Sequence, residues 1–206
     1  ILDGTAKRVG NDLKGQPEAE ADLRIILGKT YGELGLITNA LAMTQEALRL
    51  RRLHLAPTNA EIAVALNNLG AMLFDAGDFP AAAQAAREAL AIRTNLFGEF
   101  NTNVALSLNN LGLALLNQGK LVEAEDAEQR SLAIRKQLVP ADPADIGMSL
   151  VNLANVFVIL MLAFLAYPLS FFGSRVPDRV VRTDLLRFAL RGPGTALYGS
   201  GALAGV

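Results

Sequence analysis

Cysteine and tryptophan are absent from this sequence, and histidine occurs once, as His54. Without thiols the chain forms no disulfide and offers no thiolate, while its redox compartment stays open. A zinc site would have to be assembled almost wholly from carboxylates, a poor donor set for that ion. No metal and no cofactor is therefore expected. Charge of one sign is missing too: 19 basic against 20 acidic residues leave a net charge of -1 over 206 residues. With no basic excess to neutralise phosphates, nucleic acid is not an expected partner.

Enzyme signatures are also lacking. No GxxxxGK[ST] loop occurs, and no HRD or DFG kinase signature. Gly192-Pro193-Gly194 and Gly199-Ser200-Gly201 have the wrong spacing for a dinucleotide loop, with no strand before them. His54 has no serine and acid in a triad pattern and reads as a surface residue. Glu123, Glu125, Asp126 and Glu128 read as the wet face of a helix. No catalytic residue is assigned, and the chain is read as non-enzymatic.

The length fits one or two domains with a core of useful size. The chain opens on Ile1 rather than Met, without a basic-then-apolar leader, and is read as a piece of a longer protein. Its apolar content of 51% is slightly high. That excess is concentrated, since no charge appears between Asp145 and Arg175.

What the sequence does have is a repeat. Segments 21–62, 63–104 and 105–146 align without gaps at a spacing of 42 residues. Leu27, Leu69 and Leu111 fall in one column, and Gly28, Gly70 and Gly112 in the next. Gly35, Gly77 and Gly119 share another, as do Ala40, Ala82 and Ala124; Leu48, Leu90 and Leu132; and Arg51, Arg93 and Arg135. A partial fourth copy, 147–157, keeps Leu150, Leu153, Ala154 and Phe157 in register. Each copy reads as a pair of helices. Leu66, Leu69 and Leu73 recur at helical steps, a turn follows at Gly77, and Ala82, Ala85, Ala89 and Ile92 mark the second helix. Gly70 and Ala82 are expected where two helices approach closely, and Gly77 suits a left-handed helix end. Pro57, Pro140 and Pro143 fall in linkers that do not propagate a helix. The arginine column sits near the ends of second helices, where cations suit the dipole; Arg51-Arg52 and Arg135-Lys136 are read as solvated ends.

These residues resemble the tetratricopeptide repeat. Leu27-Gly28-x-x-Tyr31 matches its L-G-x-x-Y core, with Ala40 and Ala47 at the later positions. Leu73, Leu115 and Phe157 replace the tyrosine elsewhere, and the usual early tryptophan is missing. The 42-residue period, with Leu66-Asn67-Asn68-Leu69-Gly70 and Leu108-Asn109-Asn110-Leu111-Gly112, resembles the kinesin-light-chain variety. The lead-in over residues 1–20 is weakly similar to that of repeat regions in bacterial membrane-bound serine/threonine kinases. The resemblance implies an all-α fold: a right-handed solenoid of antiparallel helix pairs over 21–157, whose concave groove binds a protein or an extended peptide.

The family also implies which positions face that groove: the second, fifth, sixth, ninth, twelfth and thirteenth of each copy. In the first copy these include Asp22, Ile25, Ile26, Lys29 and Glu33. In the second they include Asn67, Asn68, Phe74 and Asp75, and in the third Asn109, Asn110, Leu116 and Asn117. The partial copy adds Asn152 and Asn155. Asparagine carries a donor and an acceptor, so it can hold a peptide backbone without demanding a side chain. It is a mediocre helix former, so pairs of it mid-helix call for an explanation. The sixth position can instead bond between repeats and orient them. Groove asparagines with Lys29 as the one obvious cation argue against a strongly cationic carboxylate clamp. The binding candidates are Lys29, Asn67, Asn68, Phe74, Asn109, Asn110, Asn117 and Asn152.

The tail, 158–206, departs from the repeat. A full fourth copy needs a glycine turn near Met161; instead residues 156–172 run for 17 residues without a charge, or 23 counted from Leu150. A bilayer core takes roughly 20 apolar residues, so this stretch is read as a membrane span. Tyr167, Phe171 and Phe172 suit an interfacial belt. Arg175, Arg179, Arg182, Arg187 and Arg191 follow on one side only, which puts the repeats on the non-cytoplasmic side. Two alternatives remain: a helix capping the last repeat of a soluble cytoplasmic protein, and a splice of unrelated reading frames. The oligomeric state and the partner's identity are not readable.

Overall fold

The computed structural model describes residues 2–138 and 143–171, with side chains to Ala163. The regular elements among the described residues are all helices: α1 Leu2–Asp12, α2 Pro17–Glu33, α3 Ile37–His54, α4 Ala60–Asp75, α5 Phe79–Phe97, α6 Thr102–Asn117, α7 Leu121–Gln137 and α8 Pro143–Phe171. They divide into two compact units, one up to Val156 and one from Phe157 on.

In the first unit, α2–α3, α4–α5 and α6–α7 are hairpins, and each second helix packs on the next hairpin's first helix. First helices also touch one another, α2 to α4 and α4 to α6, and so line one face. On the opposite side the second helices are linked by exposed ion pairs, Arg52–Glu88 at 2.6 Å and Arg87–Glu123 at 3.2 Å. Close first helices and spread second helices give a concave and a convex side.

Local sequence sets the hairpins. The turns fall at Gly35, Gly77 and Gly119, with φ of 72°, 79° and 73°, the left-handed region that costs glycine nothing. The amide after each glycine reaches back to close the helix, as Asp78 N–H to the Leu73 carbonyl at 2.9 Å. The next first helices are capped by Asn59 and Asn101, whose side chains accept from Glu61 N and Asn103 N at 2.8 Å. Pro143, expected in a linker, opens α8 instead, where its missing N–H has no helical partner to lose.

The core runs along the hairpins through Ala21, Ala63, Ala89 and their neighbours, all buried. A Cβ on Gly28 would meet Thr44 Cγ2 at 2.7 Å, and one on Gly112 would meet Glu128 Oε1 at 2.6 Å. At Gly70 the nearest atoms would lie at 3.6 Å, an ordinary contact. The close approach expected at Gly70 is thus enforced at its two counterparts. At the N-terminal end, α1 covers the first hairpin with Val9, while the buried Tyr31 donates to Asp3 Oδ1 at 2.6 Å.

The arginine column needs correcting. Arg51, Arg93 and Arg135 are only 6%, 4% and 3% exposed, so they are not solvated ends. Each donates to a main-chain carbonyl ten positions on, at the start of the next first helix: Glu61 at 2.7 Å, Asn103 at 3.1 Å and Asp145 at 2.5 Å. Arg93 and Arg135 also reach Ser107 Oγ at 2.8 Å and Ser149 Oγ at 2.9 Å. Arg51 instead pairs with Asp22 and Glu61. The column staples repeat to repeat. Arg52 and Lys136 are exposed, as expected.

α8 begins as a fourth first helix and continues through Met161, where the earlier repeats turn. Pro143–Ala163 is long and apolar enough to cross a bilayer. In the second unit the same helix exposes Val158, Ile159, Met161 and Leu162. Pro140, Phe172, the arginines from Arg175 to Arg191 and the glycine-rich end lie outside the described residues, as do the side chains of Tyr167 and Phe171.

Candidate functional site

The concave side is built by α4 and α6, with α5 behind them. Leu66, Gly70, Ala71 and Phe74 of α4, Ala82 and Ala86 of α5, and Leu113 of α6 enclose an apolar slot of about 160 Å³. Its opening follows from residue size. Gly70, Ala82 and Ala86 contribute at most a methyl group each where the two helices of the second repeat meet. Phe74 forms one wall, its ring packed edge-on to Phe79 at 5.3 Å. Among the described residues Asp75 is the only charged side chain in the lining and makes no ion pair.

Two asparagines join the wall. Asn110 Nδ2 donates to Asn67 Oδ1 at 2.6 Å, tying α6 to α4. Among the described residues this bond leaves Asn67 Nδ2 and Asn110 Oδ1 free, and neither is a buried unsatisfied atom. A donor and an acceptor thus stand beside an apolar slot, the pair that an extended peptide's main chain requires.

One repeat later the same construction is closed. Asn152 Nδ2 donates to Asn109 Oδ1 at 3.0 Å and to Glu128 Oε1 at 3.2 Å. Glu128 occupies the place of Ala86, and its side chain fills the room that Ala86 leaves open. It is 1% exposed, which corrects the expectation of a wet acidic face; Glu123 and Asp126 are exposed as expected. Burial pushes its carboxyl up to about 8, opposed by the Asn152 hydrogen bond and the Arg135 charge. Glu128 Oε2 and Arg135 Nε are, among the described residues, buried polar atoms without a partner.

The sequence-predicted residues therefore separate. Asn67, Asn110 and Phe74 come together at the slot. Asn109 and Asn152 are 2% and 7% exposed and bond to each other, the inter-repeat role that the sixth position allows. Asn68 and Asn117 bond back to their own helices, to the Val64 carbonyl at 3.0 Å and the Leu113 carbonyl at 2.9 Å. Lys29 is exposed on α2, outside the slot. Ala71 and Leu113 stand at the ninth position, which the resemblance assigns to the groove, whereas sequence reasoning missed Ala86. The available signal was the column Thr44, Ala86, Glu128, in which one small side chain stands between two larger ones. No group of ligands able to hold a metal occurs among the described residues.

Residues 61–137 match the tetratricopeptide repeat family model. Among solved structures, BtubC (BKLC) from P. vanneervenii has a TM-score of 0.65 at 23% identity, covering 79% of this chain and 68% of that one. A putative kinesin light chain repeat structure from Podosopora anserina has a TM-score of 0.66 at 16% identity, covering 85% and 86%. The Sgt2 TPR domain from Aspergillus fumigatus follows with 0.52 at 17%, covering 77% and 85%. At these identities the likeness is one of fold. No curated protein matches the chain in sequence. The fold is a tetratricopeptide-repeat solenoid that resembles kinesin-light-chain-like repeats.

Proposed function

We propose that this tetratricopeptide-repeat solenoid is an interaction scaffold that holds an extended peptide of a partner protein along its concave side. The observation that carries this reading is the open apolar slot beside Asn67 Nδ2 and Asn110 Oδ1, the halves of the two amides that their mutual hydrogen bond does not use. Binding there requires no reaction, metal or cofactor. A photo-crosslinking residue placed at Phe74, on the concave side, tests it against one at Val122, which is 71% exposed on a second helix. Partner protein should be captured from position 74 and not from 122. Equal capture from both, or capture from 122 alone, overturns the reading.

A second reading follows from α8. Its uncharged stretch beyond Val156 supports a membrane anchor, with the repeats on the non-cytoplasmic side as the sensory or regulatory segment of a membrane-bound signalling protein such as a serine/threonine kinase. The alternative is a cytoplasmic soluble scaffold. Flotation with lipid after alkaline extraction separates the two: an anchored chain stays with the vesicles, and a soluble one is released.

A further inference from the structure

The slot and its plugged counterpart differ at one column, and the column carries information about the ligand. Resting on the scaffold reading, we infer that residue 86 is a specificity gate and that the ligand is a peptide presenting one aliphatic side chain with a lysine or arginine beside it.

The argument for the aliphatic group is size and lining. The cavity of about 160 Å³ suits one leucine- or methionine-sized side chain, and its walls are Leu66, Phe74, Leu113 and small residues. The argument for the cation is charge complementarity along the same face. Asp75 stands in the slot's lining, and Glu33 holds the equivalent place one repeat earlier. Both are exposed and neither makes an ion pair among the described residues. Asn117 takes that place in the third repeat, so the negative side ends where the open slot ends. Thr44 and Glu128 occupy the gate position in the flanking repeats, packed against Gly28 and Gly112. An alanine at 86 therefore singles out one junction, and one anchor per peptide is the consequence.

The test is a selection of phage-displayed random peptides on the full chain, with the enriched sequences then measured as synthetic peptides. The enriched set should share one leucine, methionine or isoleucine within two residues of a lysine or arginine. Ala86→Glu should weaken their binding about tenfold, the scale of losing one buried aliphatic side chain. Asp75→Asn should weaken it about threefold and flatten its salt dependence. Ala86→Glu is built on the precedent of Glu128. Should it fail to fold, Ala71→Arg, at an exposed position over the slot, supplies the same block and the same expected loss. Peptides that bind with unchanged affinity to the blocked variant, or that carry acidic flanks, overturn this inference and leave the scaffold reading standing. No enrichment on the wild-type chain overturns both.

Discussion

Two junctions of this solenoid lie one repeat apart and share nearly every feature. At each, an arginine on the second helix staples the next first helix through a carbonyl and a serine hydroxyl, as Arg93 does with Ser107 and Arg135 with Ser149. At each, an asparagine pair bridges first helices, Asn67–Asn110 and Asn109–Asn152. They differ in the side chain that stands behind the asparagine pair. Ala86 leaves a slot between the second and third repeats, whereas Glu128 fills the place between the third repeat and α8. Repeat architecture therefore fixes the frame, while one side chain per repeat decides whether a junction keeps an open slot or an internal polar contact.

The plugged junction should be the pH-sensitive one. Glu128 titrates near 8 in the folded chain against an ordinary value of 4.5. The folded state then holds a proton that the unfolded state releases. This contribution to stability is complete below pH 4.5 and is lost as pH rises to about 8. Glu128→Gln should match the wild type in urea unfolding at acidic pH and exceed it by on the order of 3 kcal/mol above pH 8. Equal pH profiles for the two chains would show that the plug is solvated. The open junction, lacking this carboxylate, should show no such slope when Ala86 is replaced by serine.

The staples come next. Arg93→Ala removes two guanidinium hydrogen bonds and leaves the Ser107 hydroxyl and the Asn103 carbonyl bonded only to each other, at 3.2 Å, and should cost about 2 kcal/mol. Arg52→Ala, which removes an exposed ion pair to Glu88, should cost under about 0.5 kcal/mol. Glycine substitutions sharpen the comparison further. Gly112→Ala drives a methyl group into Glu128 and should destabilise by about 1–2 kcal/mol. Gly70→Ala meets ordinary contacts and should stabilise by about 0.5–1 kcal/mol through helix propensity. The same sign at both positions in thermal melts would mean that the junctions are packed alike.

The frame was legible in the sequence because a period of 42 residues repeats the glycine turns and the apolar columns. Gly35, Gly77 and Gly119 adopt the left-handed conformation that their spacing predicts. The site was half legible. Asparagine pairs announced the first-helix face, but the sequence leaves open whether an amide bonds a neighbouring repeat or a ligand. Burial settles the geometry: Asn109 and Asn152 lie inside, while Asn67 and Asn110 border the slot. Arg51, Arg93, Arg135 and Glu128 were misread because charge normally implies solvent. The partners of Arg93, Arg135 and Glu128 are carbonyls, serines and an asparagine, which carry no charge for a sequence reading to match, and the carboxylates that meet Arg51, Asp22 and Glu61, lie 29 and 10 positions away. The slot itself is made by what Gly70, Ala82 and Ala86 lack, and a missing side chain leaves no motif.

The most direct test of the open-slot account is methyl NMR of alanine-labelled full chain, titrated with an enriched synthetic peptide. The account predicts shifts at Ala71, Ala82 and Ala86, with Ala124 and Ala127 of the plugged repeat unmoved. Shifts centred on Ala124 and Ala127, or spread over the second helices of the convex side, would contradict it.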